Sequence, residues 1–105
     1  MESLAISEPM VTRLQALADL NRLRILDTLR DGERCVCRLT ETLDMGQPLL
    51  SHNLKFLREA GLVSGRKDGR WVHYSVIPEA VSEIEMLLAG IREDAVAAGP
   101  ILDRC

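Results

Sequence analysis

Gln47-Pro48-Leu49-Leu50-Ser51-His52-Asn53-Leu54-Lys55-Phe56-Leu57-Arg58-Glu59-Ala60-Gly61-Leu62-Val63 is the stretch around which the other segments fall into order. A turn, Met45-Gly46, precedes it. Pro48 sits where a first helical turn tolerates proline, because the missing amide hydrogen would have no intrahelical partner there. Gly61 closes the stretch, as a residue free to cap a helix in the left-handed conformation. Leu50, Leu54, Leu57 and Ala60 recur at helical spacing. At about 100° per residue, Gln47, Ser51, Lys55 and Arg58 gather on a flank away from that stripe, with Pro48 and His52 beside them. The predicted helix therefore has a buried back and a front of amides, hydroxyls and cations. Such a front suits base edges and phosphates in a DNA major groove. A merely solvated face has the same composition, so the neighbouring segments must decide.

Upstream, the turn Asp44-Met45-Gly46 joins this helix to one predicted from Cys35 to Leu43, with Val36, Leu39 and Leu43 inward. Two helices linked so tightly, the second carrying the donors, form a helix-turn-helix. Ser7 caps a first helix with Glu8 and Pro9 in its first turn and an apolar stripe of Met10, Leu14, Leu17 and Ala18. Asp19 or Asn21 opens a second helix bearing Leu23, Leu26 and Leu29, which Gly32 ends.

Downstream of Gly61 the apolar period changes from 3.6 to 2. Leu62–Lys67 and Arg70–Val76 are predicted as strands around an Asp68-Gly69 turn. Val72, Tyr74 and Val76 share one face, and Trp71, His73 and Ser75 the other. Arg66, Lys67 and Arg70 crowd the tip, so that this hairpin is a wing reaching the DNA backbone or minor groove beside the helix. Pro78 starts a last helix running to about Ala97, with Val81, Ile84, Leu88, Ile91 and Ala95 in line. The first and last helices are amphipathic and lie outside the helix-turn-helix. They could pad the domain's own small core, but pairing with a second copy would employ their apolar faces and double the base pairs read, and a homodimer on double-stranded operator DNA is the favoured expectation. The expected fold is mainly α with a small β-hairpin, a winged helix-turn-helix of order ααααββα. It forms a single domain over residues 1–105, with 1–6 and 98–105 as flexible tails.

Composition agrees with this reading. The chain has 105 residues, 47% of them apolar, with one Phe, one Trp and one Tyr, which favours a helical core of aliphatic side chains. The net charge of −3 excludes a surface that is basic throughout, but residues 51–75 alone carry a net +3. One basic stripe on an acidic protein can hold DNA at one place and weakly repel it elsewhere. No stretch approaches the length of a membrane span, and the expected location is cytoplasmic. Three cysteines do not make a disulfide framework. Without a Cys-x-x-Cys, a nucleotide loop or an acid–base constellation, a thiol enzyme is poorly supported, and no catalytic residue is assigned.

Four blocks carry a family resemblance. They are Ala18-Asp19-Leu20-Asn21-Arg22-Leu23-Arg24-Ile25-Leu26 and Glu33-Arg34-Cys35-Val36-Cys37-Arg38-Leu39, then Ser51-His52-Asn53-Leu54-Lys55 with Leu57-Arg58-Glu59-Ala60-Gly61-Leu62-Val63, and last Arg66-Lys67-Asp68-Gly69-Arg70-Trp71-Val72-His73-Tyr74. In this order they resemble the ArsR/SmtB family of winged-helix, metal-responsive bacterial repressors. The Cys-Val-Cys pair is similar to the arsenite-sensing branch, whose motif is Glu-Leu-Cys-Val-Cys-Asp-Leu. The resemblance implies a repressor that leaves its operator when arsenite or antimonite binds thiolates. Its DNA contacts would be Gln47, Ser51, His52, Lys55, Arg58, Arg66, Lys67 and Arg70. The sequence departs from the branch at Arg34 and Arg38, which replace Leu and Asp. Thr40 stands where arsenite sensors often have a third cysteine. Pro78 and Ala80 stand where zinc-sensing relatives begin their last-helix ligand set, so a zinc site of that type is not expected.

Thiolates select soft ions, so Cys35 and Cys37 point to a soft, thiophilic ion. The resemblance implies arsenic or antimony, with cadmium, lead or oxidation of the pair as the alternative signal. Cys105 would be the third ligand if the tail folds back; a small-molecule thiol or hydroxide would serve as well. Residues two apart lie about 200° apart around a regular helix, so their sulfurs converge only if the helix start is unwound or unwinds. Its distortion would then reach the recognition helix packed against it. The helix N-terminus, with Arg34 and Arg38, would lower both thiol pKa values. His52 and His73 are not expected as ligands.

Overall fold

The computed structural model describes residues 6–100. Its elements are α1 (Glu8–Leu17), α2 (Leu20–Leu29), β1 (Arg34–Cys35), α3 (Val36–Leu43), α4 (Gln47–Glu59), β2 (Val63–Asp68), β3 (Trp71–Val76) and α5 (Pro78–Ala98). Five helices and a small antiparallel sheet in this order make the winged helix-turn-helix expected from the sequence.

Each helix starts where its caps place it. The Ser7 hydroxyl accepts the Met10 amide before α1, and the Asp19 carboxylate accepts the Arg22 amide before α2. Asp44 ends α3 in the left-handed region at φ 49°, while the Met45 amide donates back to the Thr40 carbonyl. Met45 is buried beneath that turn. Gly61 takes φ 77° after α4, as its position required. Leu39, Leu50, Leu54, Leu57 and Leu62 then close on Ile25 and Leu29 to form the core.

Arg22 ties three helices together. Its guanidinium donates to the carbonyls of Gln15 and Ala16 at the end of α1, stacks 4.1 Å from the centre of the Phe56 ring, and reaches the Asn53 side-chain oxygen at 3.4 Å. Asn53 is buried in the middle of α4 and donates to the Leu49 carbonyl at 3.0 Å. It lies three residues after Leu50 and four before Leu57, on the buried stripe. That position in the sequence was the signal that this amide belongs to the core.

Several expectations need correction. A third strand exists: β1 pairs with β3, Arg34 opposite Tyr74 and Cys35 opposite His73. Two residues are too short to show a period, so the sequence placed Cys35 in the helix. The hairpin turn is Gly69-Arg70 rather than Asp68-Gly69, since Asp68 pairs with Trp71 and Gly69 alone takes φ 63°. A glycine at the first central position makes the turn of this hand easily. Ala18 and Leu23 are exposed, and Ala16 and Ile25 are fully buried in their place. His73, expected on an outward face, is half-buried between Cys35 and Arg66 in the sheet register.

Among the described residues, α5 is packed over its first half, as far as the partly buried Leu87. Ala80 and Ile84 are buried, and Glu83 pairs with Arg13 of α1. Beyond them Leu88 and Ile91 of the expected apolar line stay exposed, as do Met86 and Val96. The helix runs one residue past its expected end at Ala97.

Candidate thiol site beside the recognition helix

α4 presents Gln47, Ser51, His52, Lys55 and Arg58 to solvent, on the side opposite its buried leucines. Arg58 is also tied to the wing, since its guanidinium donates to the Tyr74 hydroxyl at 3.2 Å. Tyr74 lies flat on Gly65, its partner across the strands, where an added Cβ would approach the ring to 3.2 Å. Lys55 has Glu59 at 4.0 Å, a surface pair of small energetic weight. On the wing, Lys67 is exposed, and Arg70 sits at the turn with its guanidinium 5.1 Å from the centre of the Trp71 indole.

Arg66 is engaged differently from what the sequence suggested. Its guanidinium makes two bonds to the Glu33 carboxylate, at 2.7 and 3.1 Å. That contact holds Glu33 below the ordinary carboxylate range and pushes Arg66 further up. Glu33 immediately precedes β1, so this fork fastens the wing to the segment that carries the cysteines.

Cys35 is the N-cap of α3, with extended backbone at φ −71° and ψ 146°. It therefore lies outside the helix, and the 200° argument does not apply to it. The two sulfurs are 2.9 Å apart with the helix intact. The pair already converges, and no unwinding of α3 is needed to bring it together.

The two thiols are also unequal. The contact with Cys37, across which either sulfur can donate, lowers the Cys35 pKa, aided by the Cys37 and Arg38 backbone amides and the Arg38 charge. The same contact pushes the Cys37 pKa up. The sequence reading had both thiols lowered. Arg34 adds nothing here, since its guanidinium turns back to the Glu33 carbonyl. Thr40 gives its hydroxyl proton to the Val36 carbonyl at 3.0 Å. No group of three His, Cys, Asp or Glu side chains suited to a metal ion occurs among the described residues. Cys105, the third expected ligand, lies outside them.

The thiols and part of the polar front of α4 share one groove of about 580 Å³. Cys35, Cys37 and Thr40 line one wall, Gln47, Ser51, Lys55 and Arg58 of α4 another, and Arg70 and Trp71 of the wing a third. Cys35 and Cys37 thus meet Gln47, Ser51, Lys55, Arg58 and Arg70 in one place, whereas His52, Arg66 and Lys67 do not line it. The sulfurs can take a thiophilic ion there, and the cations can take phosphate.

Residues 19–64, which span α2, the thiol pair and α4, match the model of the bacterial regulatory protein, arsR family. An arsenical resistance operon repressor of Staphylococcus aureus is 38% identical over 80 residues, covering 72% of this chain and 77% of that protein. The chain belongs to the arsR family. Another arsR relative, the arsenic resistance transcriptional regulator ArsR1 of Pseudomonas putida, is 42% identical over 78 residues, 73% of this chain. The chain spans 61% of that relative's length. The crystal structure of an ArsR family transcriptional regulator superposes with a TM-score of 0.77 at 28% identity, covering 90% of this chain and 95% of that one. These arsR relatives are named as transcriptional regulators, and none of their names describes an enzyme.

Proposed function

We propose that this protein is a transcriptional repressor that holds double-stranded operator DNA as a homodimer and is released when arsenite or antimonite binds Cys35 and Cys37. The observation that carries this reading is the convergence of two sulfurs, 2.9 Å apart, in the groove that also holds the DNA-facing cations. Thiolates favour soft ions over hard ones, and a reduced cytoplasm keeps such a pair available. Gln47, Ser51 and His52 would meet base edges, and Lys55, Arg58, Lys67 and Arg70 phosphates. Arg66 would act chiefly by holding the wing, through Glu33.

The dimer is supported by apolar side chains that the described residues leave uncovered. Leu88 and Ile91, one turn apart on α5, are 55% and 59% exposed, and Val11 on α1 is 47% exposed. Two copies set two recognition helices about one DNA turn apart, so a change at either thiol pair alters the fit of both. A ligand that favours the unbound form by about 1–3 kcal/mol would suffice for release.

The same sulfur separation favours a second signal through the same pair. Cys35 is the sulfur that attacks an oxidant and Cys37 the one that resolves it, giving a disulfide. Cadmium or lead would also be held by these thiolates. Fluorescence anisotropy of the reduced protein on DNA from its own upstream region decides among them. Arsenite or antimonite should lower the anisotropy at the lowest concentrations. Release by peroxide, cadmium or lead alone would replace this reading with the second, and a complex indifferent to all of them would reject both.

A further inference from the structure

The described residues offer a trivalent metalloid two sulfurs, whereas arsenic(III) forms three such bonds. Thr40, the nearest hydroxyl on α3, is bonded to its own helix. The groove in front of the sulfurs has room for a small molecule and is lined by Lys55, Arg58 and Arg70. Arg58 bonds only the neutral Tyr74 hydroxyl and Arg70 stacks on Trp71, so neither is neutralised by a carboxylate among the described residues. Lys55 has the exposed Glu59 at 4.0 Å, a solvent-screened pair that an incoming carboxylate can displace. We propose that this groove is a binding site for a small carboxylate-bearing thiol, whose sulfur completes the coordination of arsenic held by Cys35 and Cys37 and whose carboxylate rests on Lys55 and Arg70. This rests on the sensor reading above and deepens it.

The exchange balances without an oxidant. Arsenite enters as As(OH)3, three thiol protons join its three hydroxyls, three waters leave, and three As–S bonds form with arsenic still trivalent. Charge then selects the third thiol, since an anion gains and a cation loses in the field of these side chains. The carboxylate also takes the cations that phosphate would use, so loading the site and releasing DNA compete for the same groups.

The test is arsenite binding in the absence of DNA, followed by the near-ultraviolet absorbance of arsenic–thiolate bonds. The Cys105→Ser chain is used with mercaptoacetate, mercaptoethanol or cysteamine as the only added thiol. The ratio of arsenite affinities with mercaptoacetate and with cysteamine is compared with the same ratio in a Lys55→Gln/Arg70→Gln variant, which cancels the intrinsic differences between thiols. The ratio should fall about tenfold in the variant, from the loss of two close charges. An unchanged ratio overturns the proposal while leaving the sensor reading intact. So does tight binding in the native chain that needs Cys105 and no added thiol. Binding that survives Cys35→Ser and Cys37→Ser, or that occurs in no arm, removes the sensor reading itself and the proposal with it.

Discussion

The contact with Cys37 is the largest cause of the lowered Cys35 pKa, so Cys37→Ala should move the alkylation profile of Cys35 to higher pH. The measurement is the rate of reaction with iodoacetamide against pH, in a Cys105→Ser background. In the native pair Cys35 should react below the pH at which an ordinary thiol ionises, near 8.5, and Cys37 should lag behind it. Arg22 and Asn53 give a second prediction at this scale. Asn53→Leu would leave the Arg22 guanidinium without one partner and should lower stability by about 1–3 kcal/mol, read by urea unfolding. The sequence offered Cys35, Cys37 and the polar front of α4 as candidates, because each is a distinctive side chain at a regular spacing. Their inequality was not visible. It depends on which sulfur lies outside the helix, and that was fixed by two residues of strand too short to betray a period.

The elements around the groove are fastened more tightly than their sequence suggests. The Glu33–Arg66 fork joins the thiol segment to the wing, and Arg58 with Tyr74 joins the wing to α4. The Glu33 carboxylate has a folded pKa below its unfolded one. Its contribution is therefore present above the unfolded value and is lost as pH falls through the folded value, below the ordinary carboxylate range. The Arg66 Nε–H resonance should shift over that acid window, and in Glu33→Gln it should show the detached position at every pH. Gly69→Val should strain the hairpin turn, where φ is 63°, and cost about 1–2 kcal/mol by thermal unfolding. The helices, the turn before α4 and the wing were legible from periodicity, caps and glycines. The long-range forks were not, because Glu33 and Arg66 stand 33 residues apart and an acid and a base at that distance have no pattern.

At the scale of the whole molecule, the far half of α5 is left exposed by the rest of the described residues. Leu88→Asp/Ile91→Asp should leave the winged domain folded, since both side chains are exposed, but should yield monomers by analytical ultracentrifugation. Those monomers should bind a full operator much more weakly than the native protein does, because one recognition helix replaces two. The sequence showed the apolar line on α5 but not how much of it the domain itself would cover. Only the three-dimensional packing separates Ala80 and Ile84, which are buried, from Leu88 and Ile91, which are not.

The thiol pair and the recognition helix share one groove, and this makes a direct prediction about DNA. The deciding measurement is an arsenite titration of the operator complex by fluorescence anisotropy, with the native chain beside Cys35→Ser and Cys37→Ser. The native complex should dissociate, and both variants should bind the operator normally yet stay bound at arsenite concentrations that release the native chain. Release of the variants at the same arsenite concentration as the native chain would contradict the assignment of the pair as the sensor.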